Sequence, residues 1–189
     1  RVLEETGYLC EDVLEETGKS LVIRKVAQNH KKELSVLGEK MKRQGYISEM
    51  KSMVSELRQY EVSKEDMEKM LECAKDKPEL YYKLKDIAVL YDGFFEYLEG
   101  KAITREEVLE VLGSVAGKSK KLKESILVLD GYTGFTPIQQ NVLEKILPLC
   151  EEMYVTVTIG EGERPYVQSD ATNLFYLSKQ TVSRLCQTA

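Results

Sequence analysis

Two short apolar runs with a helix start between them constrain this chain more than any other feature. The first run is Ile126-Leu127-Val128-Leu129, which ends in Asp130. The second, residues 153–159, reads Met-Tyr-Val-Thr-Val-Thr-Ile and is rich in the β-branched residues that suit a pleated strand. Between them, Thr136-Pro137-Ile138-Gln139 has the residues of a helix N-terminus. Thr stands as N-cap, Pro at the first helical position where its missing N–H is not needed, and Gln three residues past the cap. Leu143, Ile146 and Leu147 continue an inward face, and Pro148 closes the helix. A helix between two strands carries the chain back across the sheet, so the strands are predicted to pair in parallel. A polar loop over residues 160–170 leads to a last helix predicted to carry Leu174, Phe175, Val182 and Leu185. Two strands alone make a poor sheet, and the chain opens on Arg1 inside a helix-like Val2-Leu3-Glu4-Glu5. Both features predict a piece cut from a longer protein, or a processed one.

Before about residue 124 the period changes to that of helices. Ile23, Val26, Ala27, His30, Leu34, Leu37 and Met41 recur at steps of three and four. This spacing predicts one face of a single long helix, with Gly45 as its stop. Ile47, Met50, Met53, Val54, Leu57 and Tyr60 form a second stripe. Ser63 with Asp66 fits the capping-box start of a third helix, in which Met67, Met70, Leu71 and Ala74 face inward. Pro78 opens a fourth, packing residues such as Ile87, Ala88, Tyr91, Phe94, Phe95 and Leu98 and ending at Gly100. Thr104 with Glu107 caps a fifth, carrying Val108, Leu109, Leu112 and Val115. Five helices joined by short loops predict a compact bundle.

The formal net charge of −5 removes a whole-chain basic footprint for nucleic acid. Local basic clusters remain at Arg24-Lys25, Lys31-Lys32, residues 40–43 and residues 118–123. Interspersed glutamates make most of them solvated helix faces. Lys118-Ser119-Lys120-Lys121-Leu122-Lys123 is the least balanced and the best candidate for a phosphate contact. No apolar stretch approaches a membrane span, and no secretory segment opens the chain. Cys10, Cys73, Cys150 and Cys186 are scattered and His30 is the sole histidine, which argues against a metal site. A disulfide scaffold is not expected at this size, so a reducing cytoplasm is the default. His30 lies on an apolar stripe without an Asp, Ser or Cys partner nearby in sequence, which predicts a core-edge histidine. Most tyrosines, Tyr60 and Tyr91 among them, are predicted to face inward.

Three segments have a chemical reading beside a structural one. Gly113-Ser114-Val115-Ala116-Gly117-Lys118-Ser119 resembles a phosphate-binding loop that is one residue short. Such a loop must follow a strand and open a helix, whereas here a predicted helix precedes it and a strand follows, which favours a helix-ending glycine loop. An ATPase built on Lys118 is the enzymatic alternative. Asp130, at the end of its strand, sits where P-loop ATPases hold a Mg²⁺-associated carboxylate, and ligands of open α/β sheets bind beyond that edge. It equally serves as the residue that ends a strand. Gln139 is either a contact between motifs or only the capping partner of Thr136. Tyr132 and Phe135 lie in the turn after Asp130, where a ligand or DNA would pass, and aromatic rings there can stack on bases.

The stretch Ile126-Leu-Val-Leu-Asp-Gly-Tyr-Thr-Gly-Phe-Thr-Pro-Ile-Gln-Gln-Asn-Val-Leu143 is similar to a family, the AddB components of the bacterial AddAB helicase–nucleases. That family carries an aliphatic strand, D-G-[FY]-x-x-F-T-P, a Gln and a further strand, here Tyr154-Val-Thr-Val-Thr-Ile159. Arg1-Val-Leu-Glu-Glu-Thr-Gly7, Glu56-Leu-Arg-Gln-Tyr-Glu-Val-Ser63 and Lys83-Leu-Lys-Asp-Ile-Ala-Val-Leu-Tyr91 resemble its other segments, and Leu174-Phe175 with Thr181 and Leu185 also fits. The resemblance implies an α/β, predominantly helical fold. Residues 1–17 and 124–189 would form part of a P-loop-helicase-type core with an incomplete parallel sheet, and residues 18–123 a helical insertion. It implies a helicase-like, motor-inactive part of a machine that processes double-strand DNA ends for recombinational repair. Partners would be DNA and the AddA subunit, in the cytoplasm and without a membrane. Asp130 carries over as the nucleotide-associated carboxylate; an active motor would have Glu where Gly131 stands. Tyr132, Thr133, Phe135 and Gln139 carry over as motif members and, with Lys118, Lys120 and Lys121, make up the expected DNA contacts. ATP, Mg²⁺ and a 4Fe-4S cluster would belong to the parent protein, leaving this segment without a catalytic residue, metal or cofactor of its own. The alternative is a free-standing helical adaptor.

Overall fold

A computed structural model describes residues 1–7 and 13–188. Cys10 lies outside the described residues. The chain divides into two compact units, Cys10–Val108 on one side and Arg1–Leu9 with Leu109–Ala189 on the other.

The helical unit contains α2 (Glu16–Asn29), α3 (Gln44–Gln59), α4 (Lys64–Cys73), α5 (Pro78–Leu98) and the first turn of α6 (Arg105–Val115). Its core contains Ile23, Val26, Ile47, Val54 and Phe94 of the predicted apolar set, together with Leu90, which the spacing did not single out; all are sealed from solvent. The helices α2 and α5 approach so closely that a β-carbon on Gly93 would lie 2.8 Å from Val26 and 3.2 Å from His30 Nε2. A larger residue at 93 would force them apart. His30 sits at the rim of this contact, its Nδ1 3.0 Å from Glu33 Oε1, as expected for a core-edge histidine. The predicted caps form. Asp66 N–H donates to Ser63 Oγ at 3.1 Å and Ser63 N–H to Asp66 Oδ2 at 3.3 Å. At α6, Thr104 N–H donates to Glu107 Oε2 at 2.6 Å and Glu107 N–H to Thr104 Oγ1 at 3.3 Å. Tyr91 is half-buried against the core, but Tyr60, past the end of α3, is 57% exposed and does not face inward.

The expected single helix through Met41 does not form. The helix α2 ends at Asn29, residues 30–39 run as turns and bends, and a 3-10 turn at Lys40–Lys42 precedes α3. Gly45 therefore lies inside the next helix rather than at a stop. The cause is Asp86 on α5, which is fully buried. Its carboxylate accepts hydrogen bonds from the amides of Ser35 (2.9 Å), Val36 (2.7 Å) and Leu37 (2.7 Å). Charge-assisted bonds of this kind outcompete the helical i−4 carbonyls. Leu34, Leu37 and Met41 are buried all the same, because a compact turn preserves the spacing that had read as helix. A second charge lies under the core: Lys19, on α2, is 2% exposed and donates to Ser55 Oγ at 2.9 Å and to both Glu106 carboxylate oxygens at 3.1–3.2 Å.

The second unit contains α1 (Val2–Glu5), the rest of α6, α7 (Lys120–Lys123), β1 (Ile126–Leu129), α8 (Pro137–Ile146), β2 (Glu152–Val155) and α9 (Tyr176–Thr188). The strands pair in parallel as predicted, in the register Ile126–Glu152 to Leu129–Val155. The second strand is shorter than the β-branched run. Thr156 N–H still donates to Leu129 O at 2.9 Å, but β1 has turned away by Gly131, so residues 157–159 lack a partner strand. Ala116, Leu122, Val142 and Ile146 form the core here, with Leu127 and Met153 packed against it from one face of the sheet. The opposite face is bare: Ile126, Val128 and Tyr154 are each more than half exposed. The last helix starts later than predicted. Leu174 and Phe175 precede it, held by a turn in which Asn173 Oδ1 accepts the Phe175 amide at 2.8 Å, and Leu174 is 87% exposed. Among the described residues no helix is long and apolar enough to cross a membrane.

Candidate functional site

The segment after β1 forms a small, solvent-facing platform. Asp130 leaves the strand and Gly131 takes φ +75°, the left-handed conformation that glycine adopts without strain. Thr156, one residue past β2, clasps both. Its hydroxyl donates to Asp130 Oδ1 and accepts the Gly131 amide at 3.0 Å. The clasp fixes the turn to the neighbouring strand and orients the carboxylate at the carboxyl end of the sheet. Beyond it the rings of Tyr132 and Phe135 stack, with centroids 5.0 Å apart at 28°. Tyr132 and Thr133 are exposed and Phe135 is half-buried. Gln139 Oε1 accepts the Thr136 amide at 3.0 Å. Its capping role is therefore realised, on the helix that carries the platform back under the sheet.

The three lysines fall elsewhere. Lys118, Lys120 and Lys121 are exposed, but they precede β1, whereas Asp130 and the aromatic pair follow it. The strand that lies between them in the chain is four residues long and by itself spans about 13 Å at 3.3 Å per residue. The predicted contact set is thus two clusters at opposite ends of one strand. At the lysine end, the amides that a phosphate would use are engaged. Glu5 Oε1 accepts the Lys120 amide at 2.9 Å and the Lys121 amide at 3.3 Å, and Glu5 Oε2 accepts the buried Ser119 hydroxyl at 2.5 Å. Gly113 lies against α8, where a β-carbon would come 3.1 Å from the Lys145 side chain. Here the glycine permits close packing: residues 113–115 are the last of α6 and Ala116–Lys118 form a 3-10 turn, so the segment is the end of a helix and not a loop after a strand.

Sequence reading missed Thr156 and Glu5. Thr156 reads only as one more β-branched strand residue, and nothing near Glu5 announces a partner 114 residues away. The Ser119 hydrogen bond, with the Lys121 and Lys120 amides, holds the Glu5 carboxyl below the usual glutamate range. A depressed folded-state value means stabilisation present above pH 4.5 and lost as the pH falls through the lower folded value. Glu5→Gln is therefore expected to be less stable than the parent at neutral pH, with the difference closing in acid. Paired thermal melts from pH 7 to below about 4 would show it; a difference independent of pH would mean that the carboxylate charge is not what holds the turn.

Among the described residues, no group of three or more His, Cys, Asp or Glu side chains is placed to hold a metal ion. Cys73, Cys150 and Cys186 are free thiols. These residues do not fit an iron–sulfur cluster. For a metal-bound nucleotide the turn offers one carboxylate, Asp130, and among the described residues no glycine-rich loop joins a strand to a helix beside it.

A helical unit and a strand–turn–helix–strand unit, with a carboxylate at the carboxyl end of a parallel strand, define a protein of the α/β class with a helical elaboration. The comparison with known proteins is specific. The chain belongs to the family described as ADDB, N-terminal, whose model matches residues 1–189. The B-type subunit of the ATP-dependent helicase/deoxyribonuclease of Lachnoclostridium phytofermentans is 39% identical across the whole chain. Its namesake from Caldanaerobacter subterraneus is 33% identical, and that from Geobacillus kaustophilus 28%, again across the whole chain. The chain spans only 16–17% of the length of these relatives.

Proposed function

We propose that this chain is part of the helicase-like region of a DNA-end-processing helicase–nuclease subunit, one that contacts single-stranded DNA without acting as a motor. The platform after β1 is the observation that carries this reading: an oriented Asp130, then Gly131, then an exposed Tyr132 stacked on the half-buried Phe135. Ligands of parallel α/β sheets bind at this edge, and stacked rings offer bases a surface that tolerates any sequence. Gly131 stands where a motor would need a second carboxylate to handle the attacking water, which favours recognition over hydrolysis. The bare face of the sheet supports the P-loop-helicase assignment. Parallel strands are normally covered on both sides, and the far longer relatives have the chain to supply that cover. In this reading residues 1–17 and 124–189 belong to the helicase-type core and residues 18–123 to its helical insertion. The partners are DNA and an AddA-type helicase–nuclease subunit, the setting is the cytoplasm, and the work is recombinational repair. ATP with Mg²⁺ and an iron–sulfur cluster belong to other parts of the parent protein.

The test is a salt titration of single-strand binding by the intact protein. Single-strand affinity falls with salt at a slope of about 0.7 per phosphate contact, so changing Lys118, Lys120 and Lys121 to Glu should flatten the slope by about 2. Tyr132→Ala should weaken binding by about 1–3 kcal/mol at every salt concentration, with little change in slope. An unchanged slope removes the lysines from the DNA path, and an unchanged affinity in Tyr132→Ala removes the platform.

A further inference from the structure

The helical unit holds an open groove of about 690 Å³ that plays no part in the DNA reading. It runs between α4 and α5 and ends against the start of α6. Its floor is apolar, with Met67 and Leu71 from α4 facing Ala88, Tyr91 and Phe95 from α5. Its lips are acidic. Glu68, Glu96 and Glu99 line it, are exposed, and form no ion pair among the described residues. The cations beside it are already engaged: Lys64 Nζ lies 4.0 Å from Asp92, and the Arg58 guanidinium lies over the Phe95 ring at 5.2 Å and 3.9 Å from Glu107.

We propose that this groove docks a basic amphipathic helix of a protein partner. An apolar floor between two helices accepts the apolar stripe of a third, the helix-in-groove mode of recognition. From Ala88 to Leu98 the wall offered by α5 is about 15 Å long, which matches about three turns of a docked helix. The charge selects the occupant. Uncompensated carboxylates along the lips repel phosphates and an acidic peptide, and they complement lysines or arginines flanking an apolar stripe. Nucleic acid is therefore the wrong partner for this face, although the second unit is assigned to DNA.

The experiment titrates the intact protein with a fluorescein-labelled peptide of leucine and lysine at amphipathic helical spacing, read by anisotropy at physiological salt. A leucine–glutamate peptide of the same pattern serves as the counter-probe. The lysine peptide is expected to bind and the glutamate peptide to fail. Changing Glu96 and Glu99 to Lys should weaken binding about tenfold, roughly 1.4 kcal/mol. Both residues are exposed, so these variants should fold. Ala88→Trp, which fills the floor without altering charge, should weaken it similarly, with circular dichroism confirming that the helices persist. Changing the exposed Glu49 and Glu79 to Lys, an equal change in net charge away from the groove, should leave affinity within about twofold. An equal loss in that control, an unaffected Ala88→Trp, equal binding of the glutamate peptide, or no binding of the lysine peptide would each overturn the proposal.

Discussion

Asp86→Ala is expected to destabilise the helical unit by about 4 kcal/mol. Three backbone amides, those of Ser35, Val36 and Leu37, depend on this one carboxylate. Asp86 is 0% exposed, so water does not readily replace it. An unsatisfied buried amide, as at Leu37, costs about 1–3 kcal/mol, and the part-buried amides of Ser35 and Val36 cost less because water can reach them. For a chain of this length the melting temperature should fall by about 10 °C. Asp86→Asn should lose about half as much, because the side-chain oxygen still accepts while the new NH2 group meets an amide that also donates. Urea unfolding followed by circular dichroism measures both variants, and hydrogen exchange at residues 35–37 should quicken before the global transition. A loss below about 1 kcal/mol in Asp86→Ala would mean that the amides had found other partners and that the carboxylate does not hold the turn.

Lys19→Met is the second large effect, about 3–5 kcal/mol. The substitution keeps most of the side-chain volume and removes the ammonium that lies 3.1 Å from Glu106 Oε2. Glu106 is then a buried carboxylate that keeps its own backbone amide and Ser55 as partners but has lost the Lys19 ammonium. The pair itself is not the source of stability, because removing two charges from water offsets most of their attraction. Lys19→Met combined with Glu106→Leu should therefore return to within about 1 kcal/mol of the parent. A double variant as unstable as the single one would show that shape, not charge, is at stake. Burial raises the Glu106 pKa, but the hydrogen bonds from its own backbone amide and from Lys19 outweigh that and hold it below 4.5. The stabilisation is thus present above pH 4.5 and is lost as the pH falls through the lower folded value. The gap between parent and Lys19→Met should narrow in the same range.

The parts of the fold legible in advance are those governed by neighbours in sequence. A capping box joins residues three apart, so Ser63–Asp66, Thr104–Glu107 and Thr136–Gln139 could be read directly; the first two form in full, and at the third Gln139 caps the Thr136 amide while the Thr136 hydroxyl stays unpaired. Apolar spacing of three and four located the inward faces of α3, α4 and α5. A strand–helix–strand order leaves only parallel pairing, and the register confirms it. The same spacing misled at Leu34, Leu37 and Met41, where turns bury the residues that a helix would have buried.

At the candidate site, the order Asp130-Gly131-Tyr132 identified the turn, because a strand end and a glycine are local signals. The clasp by Thr156 was not legible, since it depends on which β2 residue the parallel register brings beside Asp130. The family resemblance carried by D-G-Y-T-G-F-T-P was visible in the residues alone, and the match to residues 1–189 extends it over the chain.

The sequence by itself determined most of the helix starts and inward faces, how the two strands run, and which family the chain belongs to, because periodicity, caps and motifs act over a few residues. Only the tertiary structure decided where α2 stops, that Lys19 is buried and which carboxylate sits on the α7 amides. Those outcomes rest on Asp86 reaching residues 35–37, Lys19 reaching Glu106, and Glu5 reaching Ser119. Each partner lies 49 or more residues away along the chain. A charged group's choice among many distant partners depends on which one the packing brings within hydrogen-bond range while excluding water, and no local pattern encodes that.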